Sequence, residues 1–81
     1  MENGTVVRSA AGHDKNRFYV IVKVETGFVW IADGKERKLE KPKRKNPRHV
    51  ASTSTVLELG SVTSNKKLRA MLKPFNEKEG T

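Results

Sequence analysis

Apolar and polar side chains alternate most cleanly between Phe18 and Val24. A period of two puts Phe18, Val20, Val22 and Val24 on one face of a strand and Tyr19, Ile21 and Lys23 on the other. The first set carries no charge, so it is expected to face inward. Upstream, Gly4 to Ser9 reads as a short strand, and Ala10 to Asn16 carries the loop chemistry of Gly12, Asp14 and Asn16. Downstream, Glu25-Thr26-Gly27 is a tight connection into Phe28–Ala32, which is apolar at both parities and leaves its buried face open. Asp33-Gly34 is the preferred pair of a two-residue type I′ hairpin, because both positions need positive φ. It predicts a returning strand from Lys35 to Glu40, with Leu39 as its clearest apolar member.

Pro42 and Pro47 bracket Lys43-Arg44-Lys45-Asn46. Proline has no amide to donate to a ladder, so a central strand is not expected there. His49-Val50-Ala51 reads as a last short strand. Four or five strands this short enclose a core by curling into a small barrel. In the C-terminal part, Ser64 reads as an N-cap, Leu68 and Leu72 stand four apart, and Pro74 stops the helix. The expected architecture is mainly β. It consists of a small barrel over residues 1–54, a linker over 55–64, a short helix over 65–73 that docks or frays, and a disordered tail over 74–81.

Charge changes this picture more than composition does. The 81 residues hold 17 Lys plus Arg against 9 Asp plus Glu, a net +8. Residues 35–49 contain Lys35, Arg37, Lys38, Lys41, Lys43, Arg44, Lys45 and Arg48 against Glu36 and Glu40, so most of that excess sits in one run. Each phosphate such cations neutralise releases counterions, which makes the run an efficient nucleic-acid footprint. Arginine adds bidentate forks where lysine is a point charge. A solvated edge strand would also carry lysines. Arg8, Lys15 and Arg17 form a second basic group, and they extend the first around one rim if the first loop folds beside the run. The chain has no Cys, which excludes disulfides, thiolate metal sites and a thiol nucleophile. Its polar start and the lack of a long apolar stretch point away from a signal peptide, a membrane span or a membrane partner, and toward the cytoplasm.

Gly4-Thr5-Val6-Val7, Ala11-Gly12-His13-Asp14-Lys15 and Tyr19-Val20-Ile21-Val22-Lys23-Val24 together resemble a KOW motif: strand, loop with a fixed glycine, hydrophobic strand. Val29-Trp30-Ile31-Ala32-Asp33-Gly34, followed by a basic tract ending in Arg48-His49-Val50, looks like the fourteen-e type of large-subunit ribosomal proteins, and is most similar to small bacterial KOW-domain RNA-binding proteins. The resemblance covers residues 3–53. It implies an SH3-like barrel that contacts ribosomal or other structured RNA through the first loop and the basic strand. Gly12 would be the KOW glycine, Lys15 and Arg17 loop contacts to phosphate, and Lys41, Lys43, Arg44, Lys45, Arg48 and His49 the basic tract. Asn16 stands where glycine is usual, and asparagine is among the residues that best tolerate the left-handed region. Pro47 within the tract is a second departure.

The expected role is therefore non-enzymatic RNA binding at the ribosome, on the large subunit, without cofactor, metal or small-molecule substrate. The RNA-contacting set is Arg8, Gly12, Lys15, Asn16, Arg17, Lys35, Arg37, Lys38, Lys41, Lys43, Arg44, Lys45, Arg48 and His49. His13, Asp14 and His49 have neither ligand spacing nor a fixed geometry for acid–base work. Tyr19 and Trp30 are either outward stacking platforms or packing residues. The competing reading is an SH3-like protein-interaction module that uses an apolar outer face of Tyr19, Ile21 and Trp30.

Overall fold

The computed structural model describes residues 1–13 and 15–77. It is mainly β: β1 (Thr5–Ser9), β2 (Phe18–Glu25), β3 (Phe28–Ala32), β4 (Lys43–Lys45) and β5 (Val50–Val56), followed by one helix, α1 (Asn65–Asn76). The strands form one antiparallel sheet in the order β4-β3-β2-β1-β5, so β4 and β5 are its two edges and share no ladder.

Both faces of the sheet are buried, which alternation in β2 alone did not indicate. Tyr19 and Ile21, expected to face out, join Val7, Val29, Ile31 and Val50 in one apolar cluster. Val20 joins Val6, Ala32, Leu68 and Leu72 in a second, on the α1 side. Val24, expected inside, is 45% exposed. A bulge explains part of this. Ile21 pairs with Ile31, but Lys23 pairs with Trp30, so Val22 is an extra residue and parity flips beyond it. The apolar outer face required by the interaction-module reading is lost with Tyr19 and Ile21, which are 1% and 0% exposed.

The sheet is also strongly curved. β4 and β1 are three strands apart in the sheet order, about 14 Å if the sheet were flat. Yet Lys45 Nζ on β4 donates to Ser9 Oγ at the end of β1, at 2.9 Å, and to Ala11 O at 3.1 Å. That span exceeds the reach of a lysine side chain, so the sheet must bend around the first cluster.

The Asp33-Gly34 pair does not make the expected hairpin. Among the described non-glycine residues only Asn16 has positive φ, so Asp33 is not in a type I′ turn, and no strand forms between Lys35 and Glu40. Instead the Asp33 side chain is buried and accepts the amides of Lys35 (3.0 Å) and Arg37 (2.8 Å). Gly34 sits against the start of α1, where a Cβ would lie 2.3 Å from the Asn65 carbonyl oxygen. With φ at +80°, Gly34→Ala combines that clash with left-handed strain. It should cost at least about 2 kcal/mol. A thermal melt matching wild type would contradict the close approach.

The Pro42–Pro47 stretch holds no central strand, but Lys43–Lys45 pairs with β3 as an edge, the place where flanking prolines are tolerated. β5 is longer than the three residues expected. Its polar half, Ser52 to Thr55, hides a strand that alternates half-buried with exposed positions. Beyond it, Leu57, Leu59 and Val62 of the expected linker pack on the second cluster.

Ser64 caps α1 as expected and accepts the Lys67 amide at 3.1 Å. Pro74 does not stop the helix, which runs on to Asn76. Two tertiary contacts offset the missing amide. Phe75 lies 5.4 Å from the Phe18 ring, and Asn76 bonds the Phe18 amide (2.7 Å) and carbonyl (3.2 Å) like an extra strand partner. Burying Leu68 and Leu72 adds roughly 1.5–3 kcal/mol each, which stabilises a helix too short to persist alone. The disordered tail expected over 74–81 is overturned at 74–76, which are helical, and 78–81 lie outside the described residues. Among the described residues no helix is long and apolar enough to cross a membrane.

Candidate nucleic-acid interface

The first loop is built on two left-handed residues, Gly12 (φ 88°) and Asn16 (φ 75°). Asn16 adopts the conformation its chemistry tolerates best among residues with a Cβ. Its amide donates to Ser9 O at 2.7 Å, and its Oδ1 accepts from Arg8 Nη1 at 2.9 Å. The loop thus holds the Arg8 guanidinium beside it, while Gly12 and Lys15 stay exposed.

This loop meets the basic run at both of its ends. At one end Arg17 Nη2 lies 3.1 Å from Asp33 Oδ2, just before Lys35. At the other, Ala10 N donates to His49 O at 2.8 Å, and Lys45 reaches Ser9 and Ala11. Lys15, Arg17, Lys35, Arg48 and His49 are therefore carried on loops that touch one another. Asp33 accounts for much of this order. One carboxylate oxygen turns the chain at Lys35 and Arg37, and the other holds Arg17. Asn65 then pins the far side of the segment, accepting the Leu39 amide at 2.7 Å and donating to Glu40 at 2.8 Å. That amide contact holds the Glu40 carboxyl below its usual range. Lys35, Arg37, Lys38 and Lys41 are left exposed around the segment.

Lys43, Arg44 and Lys45 do not act as one patch, because strand alternation divides them. Lys45 is 8% exposed and engaged with Ser9 and Ala11, so it is removed from the outward cations. Lys43 is half-buried opposite Ile31. Arg44 points to the other face, opposite Trp30, with its guanidinium carbon 4.5 Å from the centre of the Phe28 ring. The Pro47 departure is also explained. Asn46 caps a single 3₁₀ turn, Pro47–His49, with Pro47 in its first turn, so Arg48 and His49 sit on a turn and not on a strand.

One grouping escaped the linear reading. Lys23, Trp30 and Arg44 are paired across three strands, with Phe28 next along the same face. Phe28 is 38% exposed and Trp30 half-buried. The indole N–H of Trp30 donates to Glu25, which holds that carboxyl below its usual range. Aromatic and basic residues here interleave through register and not through sequence spacing, so only the pairing of the strands could find them. Tyr19, by contrast, is a core residue.

No protein-family model matches the chain, and no curated protein matches it in sequence.

Proposed function

We propose that this chain is a non-enzymatic RNA-binding protein with an SH3-like barrel of the KOW type, acting at the ribosome in the cytoplasm, on the large subunit. The observation that supports it best is the meeting of the glycine loop with both ends of the basic run, held by Arg17–Asp33 on one side and Ala10–His49 on the other. This juxtaposition concentrates exposed Lys15, Lys35, Arg37, Lys38, Lys41 and Arg48 with few competing carboxylates. The mechanism is electrostatic and positional. Cations displace counterions from a folded RNA backbone, and the loop backbone at Gly12 approaches phosphate where no side chain intervenes. Strong curvature of the sheet supports the barrel. Of the apolar face named for the interaction-module reading, Trp30 alone is not buried, and it is half-covered.

If about seven phosphates are contacted, affinity should fall on the order of 10³-fold between 50 and 200 mM salt. Fluorescence anisotropy with a labelled RNA stem-loop measures this, and gradient sedimentation of a lysate at both salts shows whether the chain travels with ribosomes. Lys35→Gln with Arg37→Gln and Lys38→Gln should reduce the slope of log affinity against log salt by about 3. Salt-insensitive binding, or a chain that stays at the top of a low-salt gradient, would overturn the proposal.

A further inference from the structure

Lys66, Arg69 and Lys73 stand three and four residues apart on α1, so they share one side of the helix, and all three are exposed. Facing them are Arg17, at the start of β2, and Lys35, just past β3. Together these five cations line a single open groove, with Asp33 also in its wall and Asn76 and Glu77 beside the helix end.

The two carboxylates do little to cancel this charge. Asp33 is buried, with its oxygens engaged by the Lys35 and Arg37 amides and by Arg17. Glu77 lies 4.0 Å from Lys73, and both are well exposed, so solvent screens their attraction. Among the described residues no carboxylate lies within salt-bridge distance of Lys35, Lys66 or Arg69. Gathering like charges around a concavity is unfavourable unless an anion enters it. The Arg17 side chain is 35% exposed along the groove, with Nη2 held by Asp33 and Nε buried. Because Asp33 already holds one end of this guanidinium, its orientation is set before any ligand arrives.

We propose that this groove is a phosphate-binding site, formed by Arg17, Lys35, Lys66, Arg69 and Lys73 and distinct from the Arg48–His49 side of the rim. The phosphate belongs either to the RNA backbone or to a free phosphorylated ligand, and the RNA source rests on the function proposed above. The arginine fork at position 69 favours a tetrahedral oxyanion over a simple halide, and Arg17 and the lysines add charge.

The test uses the full chain and two probes. Inorganic pyrophosphate is titrated at low salt while amide and arginine Nε–H resonances are followed by nitrogen–proton NMR. A labelled RNA stem-loop is titrated by anisotropy across a salt series. Pyrophosphate should move the Arg17 and Arg69 side-chain signals and the amides of early α1. Arg69→Gln with Lys73→Gln should abolish those shifts. In the RNA arm that variant should weaken binding on the order of tenfold or more at 50 mM salt and lower the salt slope by about 2. Both positions are exposed, so the thermal melt should stay near wild type and separate lost binding from lost folding. Pyrophosphate shifts with unchanged RNA affinity identify a free phosphorylated ligand as the occupant. Pyrophosphate shifts in a chain that binds no RNA sustain the groove and overturn the RNA reading. No shifts, together with an unchanged RNA slope while Lys41→Gln with Arg48→Gln still weakens RNA, would sink the groove and leave the RNA reading standing.

Discussion

Lys45→Glu is expected to unfold the domain near room temperature, although a lysine in a Lys-Arg-Lys run reads as a surface cation. The Lys45 ammonium bridges β4 to the end of β1 through Ser9 Oγ and Ala11 O, and the residue is 8% exposed. Glutamate would lose both bonds and turn a carboxylate toward the Ala11 carbonyl in a poorly hydrated site. Losing the hydrogen bonds costs about 1–3 kcal/mol. An uncompensated buried charge adds roughly 3–5 kcal/mol. At about 0.05–0.15 kcal/mol per residue, a chain of this size has only roughly 4–12 kcal/mol in total. Lys45→Met keeps the aliphatic stem, and Ser9 Oγ still donates to Ala11 O at 3.2 Å, so its cost should be about 1–2 kcal/mol. Circular-dichroism melts compare the two. A glutamate variant that melts with wild type would show that the side chain does not cross the curved sheet. Charge reversal of Lys43, Arg44 and Lys45 together would therefore report on folding, and tests of RNA binding should spare Lys45.

Asp33→Ala should be the second costliest change, at about 3–5 kcal/mol. It removes the acceptor of two backbone amides and of the Arg17 guanidinium. The ion pair is the smaller part, about 1 kcal/mol, because the Arg17 side chain is 35% exposed and rehydrates when released. Most of the loss comes from the amides of Lys35 and Arg37, whose turn depends on this carboxylate. A domain of this length should lose on the order of 20–30 °C in melting temperature. Asp33→Asn keeps an oxygen for the amides and should lose about half as much. Equal losses in the two variants would show that the ion pair dominates instead. RNA affinity should fall with either, since Arg17 and the Lys35–Lys38 segment lose their common anchor.

The outline of the fold was legible along the chain. β1 to β3 were expected within a residue of where they lie, because β-branched runs are bounded by glycine and Asn or Asp. The Ser64 cap and the Leu68–Leu72 pair marked α1. The positive φ of Gly12 and Asn16 followed from residue chemistry. What misled was context. Asp33-Gly34 favours a hairpin in isolation, but a buried aspartate near two amides and a guanidinium gains more from capping a loop. Pro74 reads as a stop until Phe75 and Asn76 find Phe18. Tyr19 and Ile21 look like an outer face until the sheet bends over them.

Local chemistry by itself determined β1 to β3, the loop between β1 and β2, that a short helix follows, and that the molecule carries a large positive charge. Those properties depend on neighbours in sequence, through propensity, periodicity and composition. Only the tertiary structure decided which cations face solvent. It took Lys45 inside, sent Arg44 to the Phe28 and Trp30 face, and gathered Arg17 and Lys35 opposite three lysine and arginine side chains of α1. The reason is geometric. Alternation within a strand is local, but the bulge at Val22, the register shift between β1 and β5 and the curl of the sheet set which face meets solvent, and these depend on residues far apart in the chain.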